Sequence, residues 1–323
     1  MYVKVVTNKV NYELNFSGKI NVITGNSGSR KTAFLKAVNK YKSGVKNVKV
    51  KVQQDDIIIP KEKIVLLMND TVIAGDYHHL FQSMSEGLFI IDETSPLLLE
   101  PDIGKVVAES INYFLFVTRQ LIEWLPISID SIYTFHLSDK SIINVPKYCT
   151  DNLDLVDIKS VDYILTEDSV SGRLFFEHYF PDITVCPKKF FSNGKMFNRD
   201  NTTLHMALEK ELDTTDNILV VFDASAYGFF YDVLLSVIRR SKKQISVLSW
   251  NSFENYLLGT PVFGCVLTKE DVACYSNSLE QLSTTRLKKL KPGYDKAKLP
   301  SWAKDNRNFI QWPVSLIRQK KLI

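Results

Sequence analysis

Gly25-Asn26-Ser27-Gly28-Ser29-Arg30-Lys31-Thr32 stands between an apolar run, Ile20 to Thr24, and an amphipathic run, Ala33 to Tyr41. Strand, glycine-rich loop and helix in that order put backbone N–H groups and a helix N-terminus where they can cradle nucleotide phosphates. The P-loop pattern G-x-x-x-x-G-K-[ST] fits at Gly25, Lys31 and Thr32 and departs at one place, because Arg30 stands where glycine is asked for. The octet is the candidate ATP-binding segment. Arg30 must either point away from the phosphates or add a cation beside them.

A motif this short needs its second half. Gly87-Leu88-Phe89-Ile90-Ile91-Asp92-Glu93 is a buried-strand run ending in two carboxylates, the form of a Walker B motif. In that arrangement Thr32 and Asp92 hold Mg²⁺ and Lys31 neutralises the β- and γ-phosphates. Glu93 then orients or deprotonates the attacking water. The plainer reading of Asp92-Glu93 is a core strand that ends in an acidic loop. Downstream, Tyr113-Phe114-Leu115-Phe116-Val117-Thr118-Arg119 is a further buried strand, and Thr118 or Arg119 is placed to read a γ-phosphate or merely to cap the sheet end.

The 323 residues, 45% hydrophobic and 24% charged, suit a soluble protein with two ordinary cores. No apolar run reaches the length of a membrane span, and Met1 to Val6 alternates like a strand rather than a signal peptide. A cytoplasmic location without membrane attachment is expected. Cys149, Cys186, Cys265 and Cys274 are scattered without metal-ligand spacing, and His78 and His79 are expected at or near the surface. The net charge of +4 is uneven. From Arg286 to Ile323 eleven lysines and arginines face Asp295 and Asp305, a local excess of +9 that leaves −5 for the remainder. Interleaved with Tyr294, Trp302, Phe309 and Trp312, this tail can track a phosphate backbone and stack bases, as DNA or RNA binding requires. It reads equally as a solvated terminal segment anchored by its aromatics.

Strands are expected near Tyr2–Val6, Tyr12–Phe16, Ile20–Thr24, Val48–Val52, Ile64–Met68, Leu88–Asp92 and Tyr113–Thr118. Helices are expected near Lys31–Tyr41, Tyr77–Ser85 and Ile103–Ser110. The alternation predicts an α/β fold with a mostly parallel sheet over residues 1–150, closed by a terminal hairpin of Ser131–Leu137 and Ser141–Val145. Gly25, Ser27, Gly28, Lys31 and Thr32 resemble the loop G-x-[SN]-G-x-G-K-[ST] of the ABC-type ATPase heads of chromosome maintenance and DNA repair. The resemblance implies ATP and Mg²⁺ as cofactors and a homo-oligomer or an effector partner. About sixty residues separate the loop from Asp92, too few for a coiled-coil arm, and no Leu-Ser-Gly-Gly signature precedes the acidic strand.

After Pro146 to Ser160, rich in turn formers and acids, the pattern restarts. Strands near Tyr163–Thr166, Ile183–Cys186, Ile218–Phe222 and Ile245–Leu248, with helices near Val170–Tyr179, Thr203–Leu212 and Ala226–Arg240, predict a smaller doubly wound α/β domain over residues 160–260. Residues 261–323 form a basic C-terminal extension. Glu167 follows the first of these strands, Asp223 the third, and Glu254 lies past the fourth. Asp223 and Asp168 also suit helix N-caps.

Glutamate after strand one and aspartate after strand three, with Phe191-Ser192-Asn193-Gly194-Lys195 after strand two, resembles the TOPRIM domain of topoisomerases, primases and overcoming-lysogenisation-defect nucleases. The resemblance implies that Glu167 is a general acid/base or metal ligand and Asp223 a metal ligand. Ser225 replaces the second acid of the family's D-x-D, for which Glu254 or Asp168 can compensate. The combined expectation is a P-loop ATPase gating an Mg²⁺-dependent nuclease, as in phage-defence proteins that these domains resemble. The alternatives are a nucleotide-sensing scaffold that binds ATP and a separate effector, and a DNA-maintenance ATPase whose second half only dimerises.

Overall fold

The computed structural model describes residues 1–69, 77–100, 102–119, 125, 127–139, 141–148, 161–166, 173, 176–177, 180–187, 217–223, 231, 235, 239 and 244–250. The chain divides into two compact units, one built on Met1–Cys149 and one beginning at Thr150. In chain order the first carries β1 (Tyr2–Val6), β2 (Asn11–Asn15), β3 (Ile20–Ile23), α1 (Lys31–Lys42), β4 (Lys49–Gln54), β5 (Ile57–Ile59) and β6 (Ile64–Leu67). It continues through α2 (Tyr77–Ser83), β7 (Leu88–Asp92), α3 (Ile103–Glu109), β8 (Tyr113–Val117), β9 (Ile132–Ser138) and β10 (Ser141–Pro146).

These strands make one ten-stranded sheet in the order β5-β4-β1-β2-β10-β9-β3-β8-β7-β6. It curls into a nearly closed, barrel-like form around α1, which touches β1, β4 and β6 from both halves of the order. The sheet is mixed, which corrects the expected mostly parallel one. β3 runs parallel to β8 and β9, and β7 parallel to β6 and β8, whereas β1 is antiparallel to β2 and β4. Burial explains the split. Every residue of β7 and β8 is buried, as a parallel strand covered on both faces requires. In β1 and β2 burial alternates, with Val3, Val5, Tyr12 and Leu14 inward and Lys4 facing Glu13 across the outer surface at 2.7 Å. The β9–β10 hairpin forms as expected but is not terminal, since it joins the halves between β2 and β3.

Leu88, Ile90, Tyr113, Leu115 and Val117 face α1, whose Phe34, Leu35, Ala37 and Val38 recur at helical spacing. On the other face Phe81 of α2 meets Phe89 and Phe114 edge-on at 4.7 and 5.1 Å. One buried polar side chain fixes the entry to β7. Asn112, fully buried, accepts from Gly87 N–H at 2.9 Å and donates to the carbonyls of Phe81 and Met84 at 2.7 and 2.9 Å. Gly87 has no room for a side chain, because an added Cβ would lie 2.9 Å from the Lys63 carbonyl. Asn112→Ala strands three backbone groups out of water and is expected to cost about 1–3 kcal/mol in a denaturant titration. Lys19 is buried as well, and its ammonium donates to Ala108 and Ser110 carbonyls at 2.6 and 3.0 Å, capping the C-terminus of α3.

The second unit contains a four-stranded, all-parallel sheet of β11 (Tyr163–Thr166), β12 (Thr184–Pro187), β13 (Asn217–Asp223) and β14 (Gln244–Trp250), ordered β12-β11-β13-β14. Ile164, Leu165, Leu219 and Val220 are buried. Arg173, Phe176 and Glu177 are helical, with Arg173 and Glu177 paired at 2.6 Å, and so are Tyr231, Leu235 and Arg239. The expected helix Thr203–Leu212, the turn Phe191–Lys195 and the basic extension 261–323 lie outside the described residues. Among the described residues no helix is long and apolar enough to cross a membrane.

Candidate functional site

In the first unit the carboxyl ends of three adjacent parallel strands carry the polar residues singled out above. β3 leads into Gly25, β8 ends at Thr118-Arg119 and β7 ends at Asp92-Glu93. Backbone bonds lock the three together: Thr118 N–H donates to Ile23 O at 3.0 Å, and Glu93 N–H to Val117 O at 3.1 Å. The Thr24 hydroxyl donates to Arg119 O at 3.1 Å.

The loop uses positive φ at three positions, Gly25 (151°), Gly28 (87°) and Arg30 (67°). Arg30 sits in the left-handed region as the N-cap of α1 and offers no side-chain cap. The first N–H groups of a twelve-residue helix are thus left without a capping side chain at the loop. Glycine meets no Cβ penalty in that conformation, so Arg30→Gly is expected to raise stability by about 0.5–1 kcal/mol, measured as a higher melting temperature. Burial raises the Tyr12 hydroxyl above its ordinary pKa, and the charge of Arg30 opposes this from nearby. The Tyr12 hydroxyl also lies 3.4 Å from Arg30 O, as a donor to it.

Lys31 folds over the loop and is only 7% exposed. Its ammonium donates to the Gly25 carbonyl, to Asn26 O at 3.3 Å and to Ser29 Oγ at 2.9 Å. Desolvation holds its pKa below that of an ordinary lysine. The nearby Glu93 opposes that shift, Arg119 adds to it and Asp92 opposes it. These fields place the lysine, both carboxylates and Arg119 in one electrostatic neighbourhood. Asp92 is buried, and its Oδ2 accepts from the Thr94 hydroxyl at 2.5 Å, which accepts from Asn69 N–H at 3.2 Å. Glu93 is held at both oxygens by Arg119, with Oε1 3.0 Å from Nε and Oε2 accepting from the backbone N–H at 2.6 Å.

Thr32 lies exposed in the first turn of α1. Its hydroxyl and the Asp92 carboxylate are hard oxygen donors of the sort that Mg²⁺ takes alongside phosphate oxygens and water, so the donor set fits that ion. Among the described residues no cluster of three or more His, Cys, Asp or Glu is arranged to hold a metal. Thr94, Asn69 and the Glu93–Arg119 pair escaped the sequence reading. A hydroxyl two residues after a strand-end aspartate is the local signal that could have found Thr94.

In the second unit β11 lies between β12 and β13, so the chain leaves it on one side and returns on the other. This is a topological switch point. Thr166, the last residue of β11, pairs with Val221 of β13, and Asp223 closes β13 opposite Trp250. Glu167, Asp168, Ser225 and Glu254 lie outside the described residues. No protein-family model, curated protein or solved structure matches the chain.

Proposed function

We propose that the first unit binds ATP with Mg²⁺ and that its occupancy gates phosphodiester cleavage in the second. The observation that carries the first half is the folding of Lys31 onto a glycine-bearing loop beside Asp92 and Glu93. Uncapped N–H groups at α1 and the loop backbone would hold phosphate oxygens, while Lys31 would exchange its carbonyl partners for the β- and γ-phosphates. Thr32 and Asp92 would hold Mg²⁺, which supplies charge neutralisation at the phosphates. Glu93 would orient water, and Thr94 would keep the Asp92 carboxylate aimed.

The second half rests on adjacency. β11 and β13 are neighbours at a switch point, Asp223 is the last residue of β13, and Glu167 follows the last residue of β11 in the sequence. On this proposal Glu167, Asp223 and Glu254 would together hold a hard cation that activates water in nucleic-acid cleavage. The basic extension would supply the electrostatic hold on DNA or RNA. Arg119's grip on Glu93 favours a second reading, a nucleotide-sensing scaffold that binds ATP and an effector without cutting.

Incubating the protein with plasmid or RNA, Mg²⁺ and ATP separates the two. The gated-nuclease reading predicts cleavage that rises with ATP and disappears with chelator. Intact nucleic acid beside saturable ATP binding would leave the scaffold.

A further inference from the structure

We infer that Arg119 is a latch that withholds Glu93 from water until the terminal phosphate of a bound triphosphate takes the guanidinium. The inference rests on the nucleotide-site reading and specifies how that site is regulated. Both oxygens of Glu93 are engaged by one residue, Oε1 by Nε at 3.0 Å and Oε2 by the backbone N–H at 2.6 Å. A general base must reach the proton it abstracts, and a carboxylate bound at both oxygens is poorly placed to do so.

The position of Arg119 makes it responsive to the loop. Its carbonyl accepts from the Thr24 hydroxyl at 3.1 Å, one residue before Gly25, and its neighbour Thr118 is hydrogen-bonded to Ile23 at 3.0 Å. Its charge is felt at Lys31, where β- and γ-phosphates would dock. The Arg119 side chain is 61% exposed and that of Glu93 28%, so solvent screens the pair and it can be exchanged at little cost. A terminal γ-phosphate offers the guanidinium a partner with up to two negative charges and several acceptor oxygens, which a single carboxylate does not match. Once the guanidinium leaves, Glu93 keeps its backbone anchor through Arg119 N–H and regains one free oxygen. A diphosphate brings no third phosphate and leaves the latch shut.

The latch predicts opposite signs for two substitutions. Equilibrium affinities for a non-hydrolysable triphosphate and for ADP, both with Mg²⁺, are compared in wild type, Arg119→Ala, Glu93→Gln and the double variant. Wild type should prefer the triphosphate about tenfold, the scale of one charge-assisted guanidinium–phosphate contact. Arg119→Ala should reduce the preference about three- to tenfold, to what Lys31 and Mg²⁺ give the third phosphate, while leaving ADP affinity within about twofold, because the latch is silent without a third phosphate. Glu93→Gln removes the competitor and should raise triphosphate affinity about three- to tenfold with Arg119 present. With Arg119 already alanine it should do so less than about twofold.

Equal effects of Glu93→Gln in both backgrounds, or a preference that Arg119→Ala leaves unchanged, would overturn the latch and leave the nucleotide site standing. Failure of wild type to bind either nucleotide would remove both. Thermal melts of all four proteins show whether folding is intact, and a purely structural salt bridge would lower the melting temperature without altering the triphosphate-to-diphosphate ratio.

Discussion

Lys31→Ala is expected to weaken ATP binding about 100-fold, equivalent to about 2.7 kcal/mol and the size of one or two charge-assisted hydrogen bonds to phosphate. The argument starts from the side chain's present partners. Three loop acceptors already gather its ammonium above the loop, so the lysine is held where phosphates would arrive rather than recruited from solvent. Partial desolvation strengthens what it then does, since a cation lifted partly out of water interacts more strongly with an anion. Desolvation also lowers its pKa, so binding should weaken as pH rises through the lysine's folded pKa and the ammonium is lost. Fluorescence titration with a labelled ATP across pH measures both effects. Arginine at the same position would keep the charge but not the compact fit to the loop, and should recover only part of the loss.

Glu167→Ala is expected to lower metal-dependent cleavage about 1,000-fold, the order of several kcal/mol of transition-state stabilisation carried by a bound cation. β11 and β13 run parallel and side by side, with Thr166 opposite Val221 and Asp223 at the end of its strand. On the proposal, Glu167, next in sequence after Thr166, and Asp223 would share one cation. Asp223→Asn should show a similar loss. If Glu167 and Asp223 serve only as helix caps, both variants would lose stability and keep their specific activity. A gel assay of nicking, normalised to folded protein, distinguishes these outcomes.

How far the sequence reaches is visible in particular elements. β3, α1, β7 and β8 fall where the apolar runs and the P-loop pattern place them, because continuous buried strands and an amphipathic helix leave strong periodic signals. β5 was invisible. Ile57-Ile58-Ile59 has no alternation, and in the structure Ile57 and Ile58 are exposed at the end of the strand order, so no buried face marks them. Val3, Val5, Tyr12 and Leu14 alternate with Lys4 and Glu13 as one-sided antiparallel strands do, a signal the expectation of a mostly parallel sheet passed over. The position of the hairpin between β2 and β3 was not legible, because pairing between distant segments leaves no local trace.

In the site, the same boundary appears between motif and contact. Lys31, Thr32, Asp92 and Glu93 stand out in the sequence as candidates because the P-loop and Walker B patterns ask for those residue types after a strand and at a strand end. The bond from Thr24 to Arg119 and the grip of Arg119 on Glu93 join residues 95 and 26 positions apart, and only the strand order β3-β8-β7 brings them together. Arg30 is the intermediate case. Its departure from glycine is plain in the sequence, whereas its left-handed backbone and the Tyr12 hydroxyl against its carbonyl are properties of the fold.

The central claim is that the loop Gly25 to Thr32 is a nucleotide site. Isothermal titration of the protein with ATP and Mg²⁺ tests it most directly. One nucleotide per chain is predicted, with binding weakened about 100-fold in Lys31→Ala at unchanged melting temperature. Absence of saturable binding by the wild-type protein, or binding that Lys31→Ala leaves intact, would contradict it.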